Sequence, residues 1–128
     1  MVSLLCDKDF LFKMKKKIHK ITKEYVDKYC LDDSFIGKSI VLYEDRINHI
    51  EKHKHDFLND SLNDILDNLS SIVGNPDYIN VDTTKFGIQI VKKINDNILV
   101  AVRLSTSSEL KIKSIYPINN TKYNKLKK

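Results

Sequence analysis

Cysteine is scarce in this chain: Cys6 and Cys30 are the only two in 128 residues. They form no CxxC pair and are too few for a disulfide framework, so a reducing compartment is expected. No apolar run is long enough to span a membrane. The opening MVSLLCDKDF lacks a basic n-region, and its apolar stretch is too short for a signal peptide. These absences lead to the expectation of a cytoplasmic protein without membrane association. There are no internal repeats. No cluster of carboxylates suggests a Mg²⁺ site, and no cofactor is expected.

What the chain does have is charge. Charged residues make up 30% and hydrophobic residues 41% of the sequence, as in a soluble globular protein of one domain. The formal net charge of +5 favours an anionic partner, nucleic acid before membrane. Three of the four histidines fall within DRINHIEKHKHDF, residues Asp45–Phe57. On a helix Arg46, His49, Ile50, His53 and Phe57 share one stripe, because side chains three and four apart stack on one face. Two imidazoles one turn apart, flanked by apolar residues, are suited to proton transfer near neutrality.

Upstream, Leu11, Met14, Ile18, Ile21 and Tyr25 recur in steps of three and four, which predicts a helix over 8–30. Lys13, Lys15, Lys16, Lys17, Lys20 and Lys23 would crowd its other sides. Its seam would pack on the domain or on a second copy, giving a homodimer. Ser39–Tyr43 is a short β-prone run, and Asp60 or Ser61 caps a helix whose core stripe is Leu62, Ile65, Leu66, Leu69 and Ile72. Gly74-Asn75-Pro76-Asp77 stops it.

From Tyr78 the apolar period changes to alternation. Phe86, Ile88 and Ile90 mark one strand, Ile98 to Leu104 the next, and Leu110, Ile112, Ser114 and Tyr116 a third. The expected fold is α+β, with N-terminal helices on one face of a three- to four-stranded antiparallel meander. Its parts would be a basic amphipathic helix over 1–36, a folded domain over 37–118 and a frayed basic tail over 119–128.

Pairing Ile94 with Ile98, and Leu104 with Leu110, sets Lys92 opposite Val100 and Val100 opposite Ser114. Lys92, Ser114 and Tyr116 would then end two apolar rows on one face, the kind of local conflict found at working sites. Gln89, Lys93, Arg103, Lys111 and Lys113 would lie on the other face, solvated or holding phosphates.

His49-Ile50-Glu51-Lys52-His53, a capped helix, Asn75-Pro76-Asp77-Tyr78-Ile79, Val91-Lys92-Lys93 and Lys113-Ser114-Ile115-Tyr116 follow one another in a telling order. Together, over about Lys38 to Pro117, they resemble the phage-associated barnase–EndoU–colicin–RelE-like nucleases. Lys52 stands where that family usually has arginine, and Ser114 where it often has threonine. The resemblance implies a fold of that kind, RNA as substrate and a setting in phages, mobile elements or toxin systems, with an antitoxin or immunity protein as partner.

The residues suit that chemistry. Metal-free RNA cleavage needs a base for the 2′-hydroxyl proton, an acid for the leaving 5′-oxygen and cations beside the phosphate. His49 and His53 are the candidate acid and base, and Lys92 and Arg103 the candidate phosphate ligands. Ser114 and Tyr116 would position the substrate, and Lys93, Lys111 and Lys113 would help to bind it. Two other readings compete. His49 and His53, with His55 nearby, match half of a zinc-protease helix, but Ile50 stands where its glutamate is needed. The other is a phage-type inhibitor that binds nucleic acid or protein without catalysis.

Overall fold

Thr22 ends one element and starts another. Its hydroxyl accepts the Tyr25 N–H, the usual role of a threonine at a helix N-cap, and helix α1 runs only over Lys23–Tyr29. The computed structural model describes residues 15–82, 87–106 and 108–127. In it, Lys15–Lys20 is an edge strand, β1, paired antiparallel with β2, Ser39–Tyr43. A bulge between Lys17 and His19 makes Ile18 the extra residue and sends it inward. The helix expected over 8–30 is thus corrected over 15–22. Ile18, Ile21 and Tyr25 are buried, but they come from a strand, a connection and a short helix. Leu11 and Met14 lie outside the described residues. Lysine on an edge strand also discourages pairing with another chain.

The remaining strands are β3 (Tyr78–Asp82), β4 (Gly87–Lys93), β5 (Asn97–Leu104) and β6 (Glu109–Ile118). The sheet order is β1-β2-β6-β5-β4-β3. Every neighbouring pair is antiparallel except β2 with β6, which is parallel. The class is α+β, but the sheet is six-stranded and mixed, not a meander of three or four strands. Hydrophobic alternation reports strands but not partners. The β2–β6 pairing, between segments far apart in sequence, therefore left no local trace. Phe86, expected in a strand, lies outside the described residues.

Helices α2 (Glu44–Glu51), α3 (Leu62–Asp67) and α4 (Leu69–Gly74) follow β2. Ser61 caps α3 through the Asp64 N–H. Ile50, Ile65, Leu69 and Ile72 pack against Ile40, Ile90, Val100 and Ile112 from the sheet, all essentially without solvent contact. Each such side chain contributes roughly 1.5–3 kcal/mol by leaving water. The other face carries a smaller cluster of Val91, Leu99 and Ile118. Asn120–Leu126, expected to fray, forms helix α5, which Asn119 caps and whose Tyr123 and Leu126 pack on that cluster. No helix among the described residues is long and apolar enough to cross a membrane.

A carboxylate pair fixes the loop behind α2. Asp96 Oδ2 accepts the backbone N–H groups of Leu58, Asn59 and Asp60, and Oδ1 accepts the Asn59 amide. Asp60 answers by accepting the Asp96 N–H and the Asn95 amide. Burial works against the Asp96 anion, but the donors of Asn59, Asp60 and Leu58 outweigh it and hold its pKa below the ordinary value. The stability it contributes is therefore present above the pKa of an unfolded aspartate, about 3.9, and is lost as pH falls through the lower folded value. Asp96→Asn should cost about 1–3 kcal/mol in urea unfolding at pH 7. The gap should close in strongly acid solution, and a pH-independent gap would contradict this role. A second position is sterically closed. A Cβ on Gly87 would lie 2.2 Å from the Val102 carbonyl oxygen. Gly87→Ala should lower stability by roughly 1–3 kcal/mol, read from the same unfolding curves.

Candidate nucleic-acid interface

Register decides which side chains meet. From the β5–β6 turn, Leu104 pairs with Leu110, Arg103 with Lys111 and Val102 with Ile112, but Ala101 then pairs with Ser114. Lys113 is the extra residue of a bulge. Beyond it every side chain of β6 changes face. Ser114 and Tyr116 therefore join Gln89, Ala101 and Arg103, not the apolar rows in which they were expected. Arg103, expected on the opposite face from Ser114, stands on the same one.

The β4–β5 register also differs from expectation: Lys92 pairs with Ile98 instead of Val100. A slip of two residues preserves the faces, so Lys92 stays on the side of Ile88 and Ile90. Its ammonium lies 3.7 Å from Asp77. Lys92 and Ser114, expected together, are on opposite faces.

Strand β2 pairs with β6 only along Ser39–Val41 and Glu109–Lys111. Past Tyr43 the chain turns into α2, which packs beside the rest of β6. Glu44 and Asp45 in its first turn suit the positive end of the helix. Ile50 enters the core, and Arg46 and His49, on the flank of the same stripe, line the cleft beside it. Arg46 Nε donates to the Lys113 carbonyl at 2.8 Å. A backbone acceptor at the bulge is thereby satisfied by the helix next to it. Arg46, His49, Gln89, Arg103, Lys113, Ser114 and Tyr116, with one carboxylate, Asp82, line a cleft of 260 Å³.

The cleft is strongly positive. The Arg46 guanidinium, then partial burial, then Lys52, His53 and Lys113 pull the His49 pKa below its ordinary value. Burial, followed by Arg46, Arg103 and Lys111, likewise pulls the Lys113 ammonium down. Burial pushes the Tyr116 phenol up. Neighbouring cations favour the neutral form of an imidazole, the form that can take a proton, and the same cations can hold an anion.

His53 lies just past the end of α2, where the chain enters the short 3₁₀ turn Lys54–Asp56. Its ring still meets that of His49, with centroids 6.1 Å apart at 73°. His53 Nδ1 is 3.3 Å from Asp56 Oδ2. Together with Asp56, Ser114, Tyr116 and Pro117 it lines a second groove of 410 Å³. Ser114 and Tyr116 thus form a wall common to both spaces, with one histidine at each.

The model of the phage-Barnase-EndoU-ColicinE5/D-RelE like nuclease3 family matches residues 16–125. The chain belongs to this family. No curated protein and no solved structure matches it.

Within this nuclease fold the Asn75-Pro76-Asp77 segment serves as a latch. Asp77 N–H donates to the Val91 carbonyl, and Oδ2 accepts the Lys93 N–H and the Tyr123 hydroxyl. Burial and the Asp77 carboxylate push the Tyr123 phenol up to about 12. Lys93 shares the face of Gln89 but stands four residues further along β4, roughly 13 Å from it. Lys111 is next to Arg103 on the open face. His55 borders a separate depression with Glu51, Phe57 and Ser61. Among the described residues no three His, Cys, Asp or Glu side chains converge as metal ligands.

Arg46 received no role from the sequence, and Gln89 only a place on the face opposite Ser114. The signal for Arg46 was available, since it shares the helical stripe of His49. The electrostatics give a direct test: followed by NMR, the His49 ring should titrate with a midpoint below the ordinary 6.5. Arg46→Gln should move that midpoint upward. A midpoint that ignores the substitution would mean that the guanidinium does not set the charge state of His49.

Proposed function

We propose that this nuclease is a metal-independent endoribonuclease. The observation that carries the reading is a histidine lining one cleft with Arg46, Arg103 and Lys113. A phosphodiester placed among Arg46, Arg103 and Lys113 would bring its ribose 2′-hydroxyl toward His49. His49 takes the hydroxyl proton, and the 2′-oxygen forms a bond to phosphorus. The bond from phosphorus to the 5′-oxygen breaks, and that oxygen receives a proton from His53. The products are a 2′,3′-cyclic phosphate and a 5′-hydroxyl. Asp56 holds the His53 ring through Nδ1, so the proton it delivers is on Nε2. Ser114 and Tyr116 position the nucleotide between the two imidazoles. The cations stabilise the crowded phosphate as its charge grows.

The phage association in the family's name supports a setting in which the activity serves as a toxin or effector, checked by an antitoxin or immunity protein. The competing reading is an inhibitor that uses the same positive cleft only to bind.

RNA cleavage in the presence of EDTA, with a cyclic phosphate end detected by mass spectrometry, is the expected result. A 2′-deoxy substitution at the scissile nucleotide should abolish it, because the attacking oxygen belongs to the substrate. His49→Ala and His53→Ala should each slow cleavage on the order of 10²–10⁴, whereas Lys92→Ala, on the other face, should leave the rate nearly unchanged. Tight RNA binding without cleavage of a broad RNA panel would replace the enzyme reading by the binding one.

A further inference from the structure

The open face of the sheet continues past the cleft. Cross-strand partners share a face, so the observed registers trace a row across four strands: Arg103 on β5, Lys111 on β6, Val41 on β2 and Lys17 on β1. Two observations support the row independently. Ile40 and Leu42, the neighbours of Val41, point into the helix-covered core, so Val41 and its partners face the other way. The Lys111 ammonium also lies 4.7 Å from the centre of the Tyr43 ring, as shared facing requires. Lys15 is held by Glu109, whose other oxygen accepts the Tyr43 hydroxyl. That carboxylate offsets Lys15, while Lys17 and Lys111 belong to no ion pair among the described residues. From Arg103 to Lys17 is three strand spacings, about 14 Å.

We infer that this row is the path by which a single RNA strand leaves the cleft, with Lys111 and Lys17 each holding a phosphate and β1 forming the far end of the substrate site. The inference rests on the nuclease reading for its starting point. Its chemistry is that of backbone tracking: spaced cations, continuous with a phosphate-binding cleft, with the buried Val41 between Lys111 and Lys17. The bulge at Ile18 contributes directly. It turns Ile18 into the core while Lys17 keeps its register with Val41, so an edge strand can be anchored and still present its cation.

The test compares the full chain carrying His49→Ala, which leaves RNA intact during measurement, with the same chain carrying Lys17→Gln and Lys111→Gln as well. Binding of a single-stranded RNA of about ten nucleotides is followed as a function of salt. Losing two phosphate contacts should reduce the slope of log K against log salt by about 1.4 and weaken binding on the order of tenfold. Lys17→Arg with Lys111→Arg should retain both values. On the otherwise native chain, Lys17→Gln alone, two strands beyond Lys111, should leave cleavage of a dinucleotide unchanged. An unaltered slope on the longer RNA would overturn the path, as would an equal loss on the dinucleotide or a preference for duplex. If no RNA is cleaved but the slope still depends on the two lysines, the path stands and the ribonuclease reading falls.

Discussion

A single extra residue in β6 organises the candidate site. Without the bulge at Lys113, strict alternation would carry Ser114 and Tyr116 into the helix-covered core, where a hydroxyl and a phenol would each need a buried partner. With it, both reach the open face beside Arg103, and Ile115 takes the core position instead. The bulge also leaves the Lys113 carbonyl facing the helix that continues from β2, and Arg46 accounts for that acceptor. Strand pairing, helix placement and the charge of the cleft are therefore one arrangement. A shift in any of them moves the others.

The arrangement carries an electrostatic cost. Arg46, Arg103, Lys111 and Lys113 repel one another; burial and then this repulsion lower the Lys113 pKa, and Arg46 is the largest cause of the lowered His49 pKa. Stability has to come from elsewhere. The aliphatic core under the helices supplies most of it, and two carboxylates fix the connections around the site. Asp96 binds the loop that follows the histidines to the β4–β5 turn. Asp77 ties the start of β3 to β4 and to α5. Both lie outside the cationic cleft. The acidic groups that hold the fold together are thus kept apart from the place where an anion would bind.

Much of this was legible in the sequence. The change of period at Asn75-Pro76 marks where helices give way to strands, and the histidine segment and the basic residues of β5 and β6 supply the cleft. What escaped was long-range or a matter of one residue. The spacing of Ile18, Ile21 and Tyr25 fits a helix as well as a strand that passes into a capped helix, and Thr22 was the sign that separated them. Nothing local reveals that β2 pairs with β6. The bulge did leave a mark: the apolar step lengthens from two, between Leu110 and Ile112, to three, between Ile112 and Ile115. Reading Ser114 and Tyr116 as part of the unbroken alternation hid that step. It assigned Lys92 to their face and removed Arg103 from it.

The central claim is that Arg46, Arg103 and Lys113 hold a phosphate beside His49. A crystal structure with a non-cleavable 2′-deoxy dinucleotide tests it most directly. The linking phosphate should lie within hydrogen-bond reach of those three cations, with the ribose 2′-position facing His49 and the leaving oxygen facing His53. A phosphate seated instead on the other face, at Lys92 and Asp77, would contradict it.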